Sequence, residues 1–264
     1  INYVFASRKE RNFINLNQNA YMSLNLILDI GNSLSKLALF NKERIIFLKQ
    51  YESISLNILE NLFESHHHIL QGIVSNVKQE DDKIYSFLER NLTKLLLLDE
   101  KTPLPVENLY KTKSTLGKDR IAAAVGGYSL FPGAHVLIID AGTALTYEFV
   151  TSGGQYLGGG ISPGLKMRFR SLHENTKKLP LTEPKEKFQL PANTTKSAII
   201  SGVQSGIIYE IDGIINEFRE QFNPLKIVFT GGDSVFFEKK LKNSIFVDSN
   251  LVLKGLNQIL KFNA

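Results

Sequence analysis

The feature that most constrains this chain is a glycine turn that closes a buried strand and occurs twice. Leu26-Ile27-Leu28-Asp29-Ile30-Gly31-Asn32-Ser33 is matched 111 positions on, from Asp29 to Asp140, by Leu137-Ile138-Ile139-Asp140-Ala141-Gly142-Thr143-Ala144. Each copy is a run of strand formers ending in Asp, then Gly, then small amide or hydroxyl side chains, then a second strand-like run. The glycine lets the backbone turn tightly and brings its N–H groups close to an anion. The hydroxyls of Ser33 and Thr143 can donate to phosphate oxygens, and an Asp at a strand end can hold a cation or its water shell. One Asp-x-Gly turn occurs in plain hairpins. Its repetition in the same strand–turn–strand context points to a ligand.

The pattern around the two turns is also repeated. Strands are expected up to Asp29, over 36–40 and over Arg44–Tyr51, with Asn41-Lys42-Glu43 between the last two, which makes an antiparallel meander. Helices over 54–64 and 81–91 alternate with buried strands over 69–75 and 94–98, and a helix over 116–130 ends at Phe131-Pro132-Gly133. The meander then restarts with strands over 135–140, 145–151 and 155–160, followed by a helix after Pro163-Gly164 up to Glu174. A long helix over 195–222, a strand over 226–230 and a third glycine turn, Gly231-Gly232-Asp233, come next. A helix near 236–242, a short strand over 245–247 and a last helix from Leu251 complete the chain. Residues 175–193, with Pro180, Pro184 and Pro191 among charges, read as a loop with the capacity to move. These elements predict an α/β chain built by internal duplication, with a ligand cleft between its halves. The expected division is an extension over 1–21, with Met22 as the natural start, an N-terminal domain over 22–131 and a C-terminal domain over 132–264.

Composition narrows the function classes. With 264 residues, 43% of them hydrophobic, the chain can bury one large core or two ordinary ones. It has no cysteine, which removes disulfides, thiolate metal sites and a cysteine nucleophile, and which fits a reducing cytoplasm. The net charge of +5 is spread without a basic stripe or a helix-turn-helix, so no nucleic-acid partner is expected. No run approaches the roughly 20 apolar residues of a membrane span, so none is expected either. His66-His67-His68 reads as a solvated loop, since consecutive residues do not face one way.

The turns at Asp29, Asp140 and Thr230-Gly231-Gly232 together resemble the actin-like and sugar-kinase superfamily, a duplicated ribonuclease H-like fold in which two mixed-sheet domains flank a nucleotide cleft. Shorter motifs narrow the resemblance. They are Leu116-Gly117-Lys118-Asp119-Arg120, Gly158-Gly159-Gly160-Ile161-Ser162-Pro163-Gly164-Leu165 with Leu179-Pro180 downstream, Thr195-Lys196-Ser197-Ala198-Ile199 with Gly202, and Asn250-Leu251-Val252-Leu253-Lys254-Gly255-Leu256. In this order, from Met22 onward, the set resembles type III pantothenate kinase, which phosphorylates pantothenate to 4′-phosphopantothenate with ATP in the first step of coenzyme A biosynthesis.

The resemblance implies roles position by position. Asp29, Ile30, Gly31, Asn32, Ser33 and Lys36 match the first ATP loop, with Ser33 where Thr is usual, and Thr143 matches an ATP contact of the second. Asp140 matches the ligand of an activating monovalent cation, potassium or ammonium, and Asp29 supports Mg²⁺ through water or phosphate. Gly117, Lys118, Asp119 and Arg120 match the pantothenate site, with Asp119 as the base, and Tyr110 and Thr195 match further substrate contacts. Lys118 departs from the small or apolar residue more common there, and Glu148 stands where Asp is frequent. A cytoplasmic homodimer whose substrate pocket is completed at the subunit interface is implied too. From the residues alone, Asp119-Arg120 reads more plainly as a solvent-side helix pair. Beside a base, however, the planar fork of Arg120 is suited to grip the substrate's carboxylate at two points. The rivals are another acyl or sugar kinase and a nucleotide-binding accessory protein without catalysis. Retention of Asp29, Asp119, Arg120 and Thr143 favours an enzyme.

Overall fold

Strand formation begins where the apolar run begins. In the computed structural model, which describes residues 23–31, 34–76 and 82–264, Leu24–Ile30 forms β1. The expected extension over 1–21, together with Asn32 and Ser33, lies outside the described residues. Two compact units divide the chain, one ending at Leu98 and one starting at Asp99.

The first unit contains β1, β2 (Ser35–Asn41), β3 (Arg44–Tyr51), α1 (Leu56–Ser65), β4 (Ile69–Asn76), α2 (Asp82–Asn91) and β5 (Lys94–Leu97). Its sheet has the order β3-β2-β1-β4-β5, antiparallel across the meander and parallel from β1 to β4 to β5. Alternation along β1 sends Leu24, Leu26 and Leu28 to one face, where they pack with Leu59 and Leu62 of α1 and Ile84 and Leu88 of α2. The helical spacing of those pairs places them on the inner stripe of each helix. Asp29 is left on the opposite face, level with Lys36 on β2 and Ser75 on β4.

The second unit repeats this plan. It contains β6 (Glu107–Asn108), α3 (Lys118–Leu130), β7 (His135–Ala141), β8 (Ala144–Val150), β9 (Gln155–Pro163), α4 (Leu165–Glu174), α5 (Thr195–Gln221), β10 (Leu225–Thr230), α6 (Ser234–Glu238), β11 (Phe246–Val247) and α7 (Leu251–Phe262). The sheet order is β11-β10-β7-β8-β9-β6. Reading β9-β8-β7-β10-β11 against β3-β2-β1-β4-β5 gives the same order and the same strand senses. The duplication expected from the two turns is therefore present in the sheets themselves. Leu137, Ile139, Leu145 and Phe149 on one sheet face meet Ile207, Ile211 and Ile215 of α5 and Leu165 and Phe169 of α4.

The structure departs from the expected elements at several points. The division expected between 131 and 132 falls between Leu98 and Asp99, because α3 packs on β7, β8 and α7 of the second unit. The third meander strand, β9, runs on to Pro163, α6 starts earlier than expected, at Ser234, and β6 is too short to leave a pattern in the sequence. Helix α5 is long and apolar enough, by length and composition, to cross a membrane, with a mean hydropathy of 1.3 over its best window. Half of that window is buried, and its isoleucines form the core just described, which accounts for the composition. Finally, the loop over 175–193 is anchored at Lys185. The buried Gln204 side chain accepts from the Lys185 N–H at 2.7 Å and donates to its carbonyl at 2.8 Å, as a neighbouring strand would.

Candidate active site

The second glycine turn is a meeting point of three segments. Gly142 N–H donates to the Ala144 carbonyl at 3.1 Å and closes the turn between β7 and β8. Parallel pairing sets Thr230, the end of β10, level with Asp140. The chain then turns at Gly231, whose φ of +94° is open to glycine and costly for other residues. A Cβ at Gly231 would lie 2.5 Å from both Asp140 Oδ1 and the Ala141 carbonyl oxygen. The Asp233 N–H donates to that same carbonyl at 3.0 Å. From the third side, Gly164, which precedes α4, lies so close that its Cβ would be 2.2 Å from the Thr143 carbonyl oxygen. The start of α4 thus brings unpaired backbone N–H groups and a positive dipole end to the turn, an arrangement that favours anions.

Electrostatics at this corner are mixed. Burial pushes the Asp233 carboxyl above its ordinary pKa, and Lys166 in the first turn of α4 pulls it part of the way back. The oxygen-rich donor set of carboxylate, carbonyl and hydroxyl suits a hard cation. A Cβ at Gly231 or Gly142 would crowd Asp140 Oδ1, at 2.5 and 3.1 Å, so both glycines leave room for that carboxylate. The donor chemistry is of a kind that can hold a cation beside Asp140. In the first unit the matching turn is closed by a 3.2 Å hydrogen bond from Gly31 N–H to the Leu34 carbonyl. Across the sheet there run Lys36, Asp29 and Ser75, and the fully buried Ser75 hydroxyl has no hydrogen-bond partner among the described residues.

A second group of expected residues gathers where α3 begins. A short 3-10 turn, Lys113–Thr115, leads to Gly117 at the N-cap. Asp119, in the first turn and exposed, folds back so that its Oδ1 accepts the Arg120 N–H at 2.9 Å. A carboxylate there is stabilised by the helix dipole. Its position depends on Gly117, since a Cβ at 117 would come within 2.5 Å of that oxygen. Arg120, one residue on, points inward and is 7% exposed. Its Nε and Nη2 donate to the two oxygens of Glu148 at 2.6 and 2.9 Å, and Tyr156 Oη donates to Glu148 Oε2 at 2.5 Å. The remaining edge, Nη1, stands 3.5 Å from Tyr110 Oη, and the guanidinium lies 5.5 Å over the Tyr110 ring, which stacks on Tyr156.

This geometry changes two readings. Asp119-Arg120 is not a solvent-side pair, because neighbours on a helix diverge and one is exposed while the other is buried. The Arg120 fork expected to grip a substrate carboxylate is occupied by Glu148. Burial raises the Glu148 pKa, opposed by its bonds to Arg120 and Tyr156. Burial works against the Arg120 charge as well, but Glu148 outweighs it and the pKa is raised. Burial and Glu148 both push Tyr156 up, so its hydroxyl stays a donor.

Tyr110, Gly117, Lys118, Asp119 and Arg120 are thus one group, and Asp140 and Thr143 belong to the glycine-turn corner. Thr195 opens α5, exposed, beside the capping box formed by Thr194 and Ser197. No hydrogen bond or ion pair ties it to the Tyr110 group among the described residues. The sequence reading missed Tyr156 and Asp233 as members of these groups and took Glu148 for a variation. The one available signal was that Glu148 is the single charged residue in its strand.

A family profile described as type III pantothenate kinase matches residues 25–217. A type III pantothenate kinase from Bacteroides fragilis is 44% identical over 240 residues, covering 91% of this chain and 98% of its own. Among solved structures, a Campylobacter jejuni protein described as a Baf family transcriptional activator aligns with a TM-score of 0.57 at 23% identity, covering 90% of this chain and 98% of its own. A glucokinase from an Antarctic psychrotroph aligns with a TM-score of 0.51 at 9% identity, over 92% of this chain and 99% of its own. At such identities the structural likenesses bear on the fold, which is that of the sugar kinases.

Proposed function

The chain belongs to the type III pantothenate kinase family, and from that membership we propose how its residues move the γ-phosphoryl group of ATP to the 4′-hydroxyl of pantothenate. The observation that carries the assignment is the exposed carboxylate of Asp119 in the first turn of a helix, held beside a buried Arg120–Glu148 pair. Phosphorylating an alcohol requires little covalent chemistry from the protein. It requires in-line positioning, charge stabilisation and an acceptor for the hydroxyl proton. Asp119 takes that proton as the oxygen–phosphorus bond forms. Gly117 and Lys118 line the start of the helix beside it, Tyr110 and the open Nη1 edge of Arg120 orient the substrate, and Thr195 gives a further contact.

The phosphates are held by the two strand-end turns. Asp29, Ile30, Gly31, Asn32, Ser33 and Lys36 serve one, and Thr143 with the N–H groups at the start of α4 serves the other. Mg²⁺ near Asp29 and potassium or ammonium at Asp140 would, when bound, neutralise charge on the phosphates. A homodimer working in the cytoplasm completes the reading, supported by the same family resemblance.

The test is ADP release from ATP and Mg²⁺, with and without pantothenate, in potassium and again in sodium. Pantothenate-dependent release that is faster in potassium is expected. Release indifferent to pantothenate would overturn the acceptor, and equal rates in the two salts would remove Asp140 as a selective cation site. In the Asp119→Asn variant, turnover should fall by about 10²–10⁴-fold while ATP is still bound. Near-normal turnover would remove Asp119 as the base.

A further inference from the structure

We infer that Glu148 and Tyr156 are positioning residues of the pantothenate site, acting through Arg120 and Tyr110 to present one donor edge to the substrate. This deepens the kinase reading and rests on it. A guanidinium offers five N–H donors in a rigid plane. Here the Nε–Nη2 edge is used up inside the protein, by Glu148 on β8 at 2.6 and 2.9 Å. Glu148 is fully buried, and its Oε2 also accepts Tyr156 Oη at 2.5 Å. Both oxygens are thereby fixed, which fixes the plane and rotation of the guanidinium. The edge left over is Nη1, 3.5 Å from Tyr110 Oη. The Tyr110 ring is set in turn by stacking on Tyr156, with ring centroids 6.2 Å apart.

Tyr156 therefore holds both substrate-facing groups, Tyr110 through its ring and Arg120 through Glu148. Because Glu148 offsets the Arg120 charge, this corner recognises the substrate by the direction of its hydrogen bonds more than by net charge. An oxygen acceptor of pantothenate would meet Nη1 and the Tyr110 hydroxyl as a preset pair. Preset donors lower the ordering cost of binding. Loosening them should therefore weaken pantothenate binding and leave ATP binding and the proton transfer to Asp119 alone.

The experiment compares the full chain with Tyr156→Phe and Glu148→Gln, using steady-state kinetics in both substrates, calorimetric titration with pantothenate and thermal melts. Tyr156→Phe keeps the ring stack and loses one charge-assisted hydrogen bond. It should raise the pantothenate KM and Kd by about tenfold, with kcat within about twofold and the ATP KM unchanged. Glu148→Gln leaves the buried guanidinium without its counter-charge, so it should show a larger KM effect and a lower melting temperature. If it fails to fold, Tyr156→Phe alone decides. A Tyr156→Phe chain with an unchanged pantothenate KM and Kd overturns the inference, even if its melting temperature drops. A loss shared equally by both substrates overturns it as well, since that is what a general structural role produces. If the unmodified chain binds pantothenate but releases no ADP, the kinase reading falls instead, and the titration of Tyr156→Phe still decides this one.

Discussion

Two carboxylates of the second unit, Asp119 and Asp140, each rest against a glycine. A Cβ at Gly117 or at Gly231 would come to 2.5 Å from the nearer carboxylate oxygen. In both places the smallest side chain leaves room for a functional one. Gly117→Ala should therefore displace Asp119 and lower kcat by about 10²-fold, since small misplacements of a reacting group are costly. Steady-state kinetics should find the ATP KM unchanged, and an unaltered kcat would show that Asp119 does not act from the observed position. Asp233 gives a prediction in pH. Its folded pKa is raised by burial, so the unfolded chain ionises this group first as the pH rises above the ordinary value of 3.8. Its contribution to stability is fully present below that value and is lost as pH climbs through the raised folded pKa. Asp233→Asn should then melt higher than the parent at neutral pH, with the difference vanishing below the ordinary aspartate value. A gain that persists in acid would mean that shape, and not charge, is responsible. Asp119 was legible in the sequence because it belongs to a short contiguous motif. Glu148 was not legible as its support, because its partner is 28 positions away and only the packing of α3 on β8 brings the two together.

At the scale of elements, α3 and α7 of the second unit approach each other backbone to backbone. A Cβ on Gly255 would lie 1.8 Å from the Ala122 carbonyl oxygen, and one on Gly126 would lie 2.5 Å from the Leu251 carbonyl oxygen. Ala122, Ala123 and Ala124 are buried in α3, so small residues line this side of the helix. The obstruction at 255 is backbone, which cannot rotate away as a side chain would. Gly255→Ala should therefore destabilise the protein by about 3 kcal/mol, the upper part of the usual overpacking range. Urea titration should show a lower midpoint at an unchanged slope, and an unchanged midpoint would mean that the two helices can separate freely. The same contact explains which parts of the fold were legible. The strands were, because alternation and the glycine turns are local signals. The unit boundary was not, because α3 precedes the second meander in sequence but is held by a helix that begins 121 positions after α3 ends, at Leu251. Likewise, Lys185 in the loop over 175–193 is tethered by the buried Gln204, which in the sequence is one polar residue in a helix.

At the scale of the whole chain, the duplication sets a question that neither unit answers alone. Both copies end their central strand in Asp, both continue through Gly into an antiparallel partner, and both pair that strand with a parallel neighbour. The copies nevertheless differ in what surrounds the turn. In the second, Gly231 and the start of α4 crowd around Asp140 and Thr143. In the first, Lys36, Asp29 and Ser75 form a row across three strands. If both turns hold phosphates, a nucleotide must restrict both backbones at once, since each would have N–H groups bonded to the ligand. Hydrogen exchange with ATP and Mg²⁺ should then slow in the segments 29–36 and 140–146 together, and in the Asp119→Asn variant as in the parent, because the base is not needed for binding. Pantothenate alone should instead slow exchange around 110–120. Protection by ATP in only one of the two turns would mean that duplication preserved the strand plan in both copies but the phosphate site in one. The nucleotide contacts assigned to the unprotected turn would then have to be withdrawn.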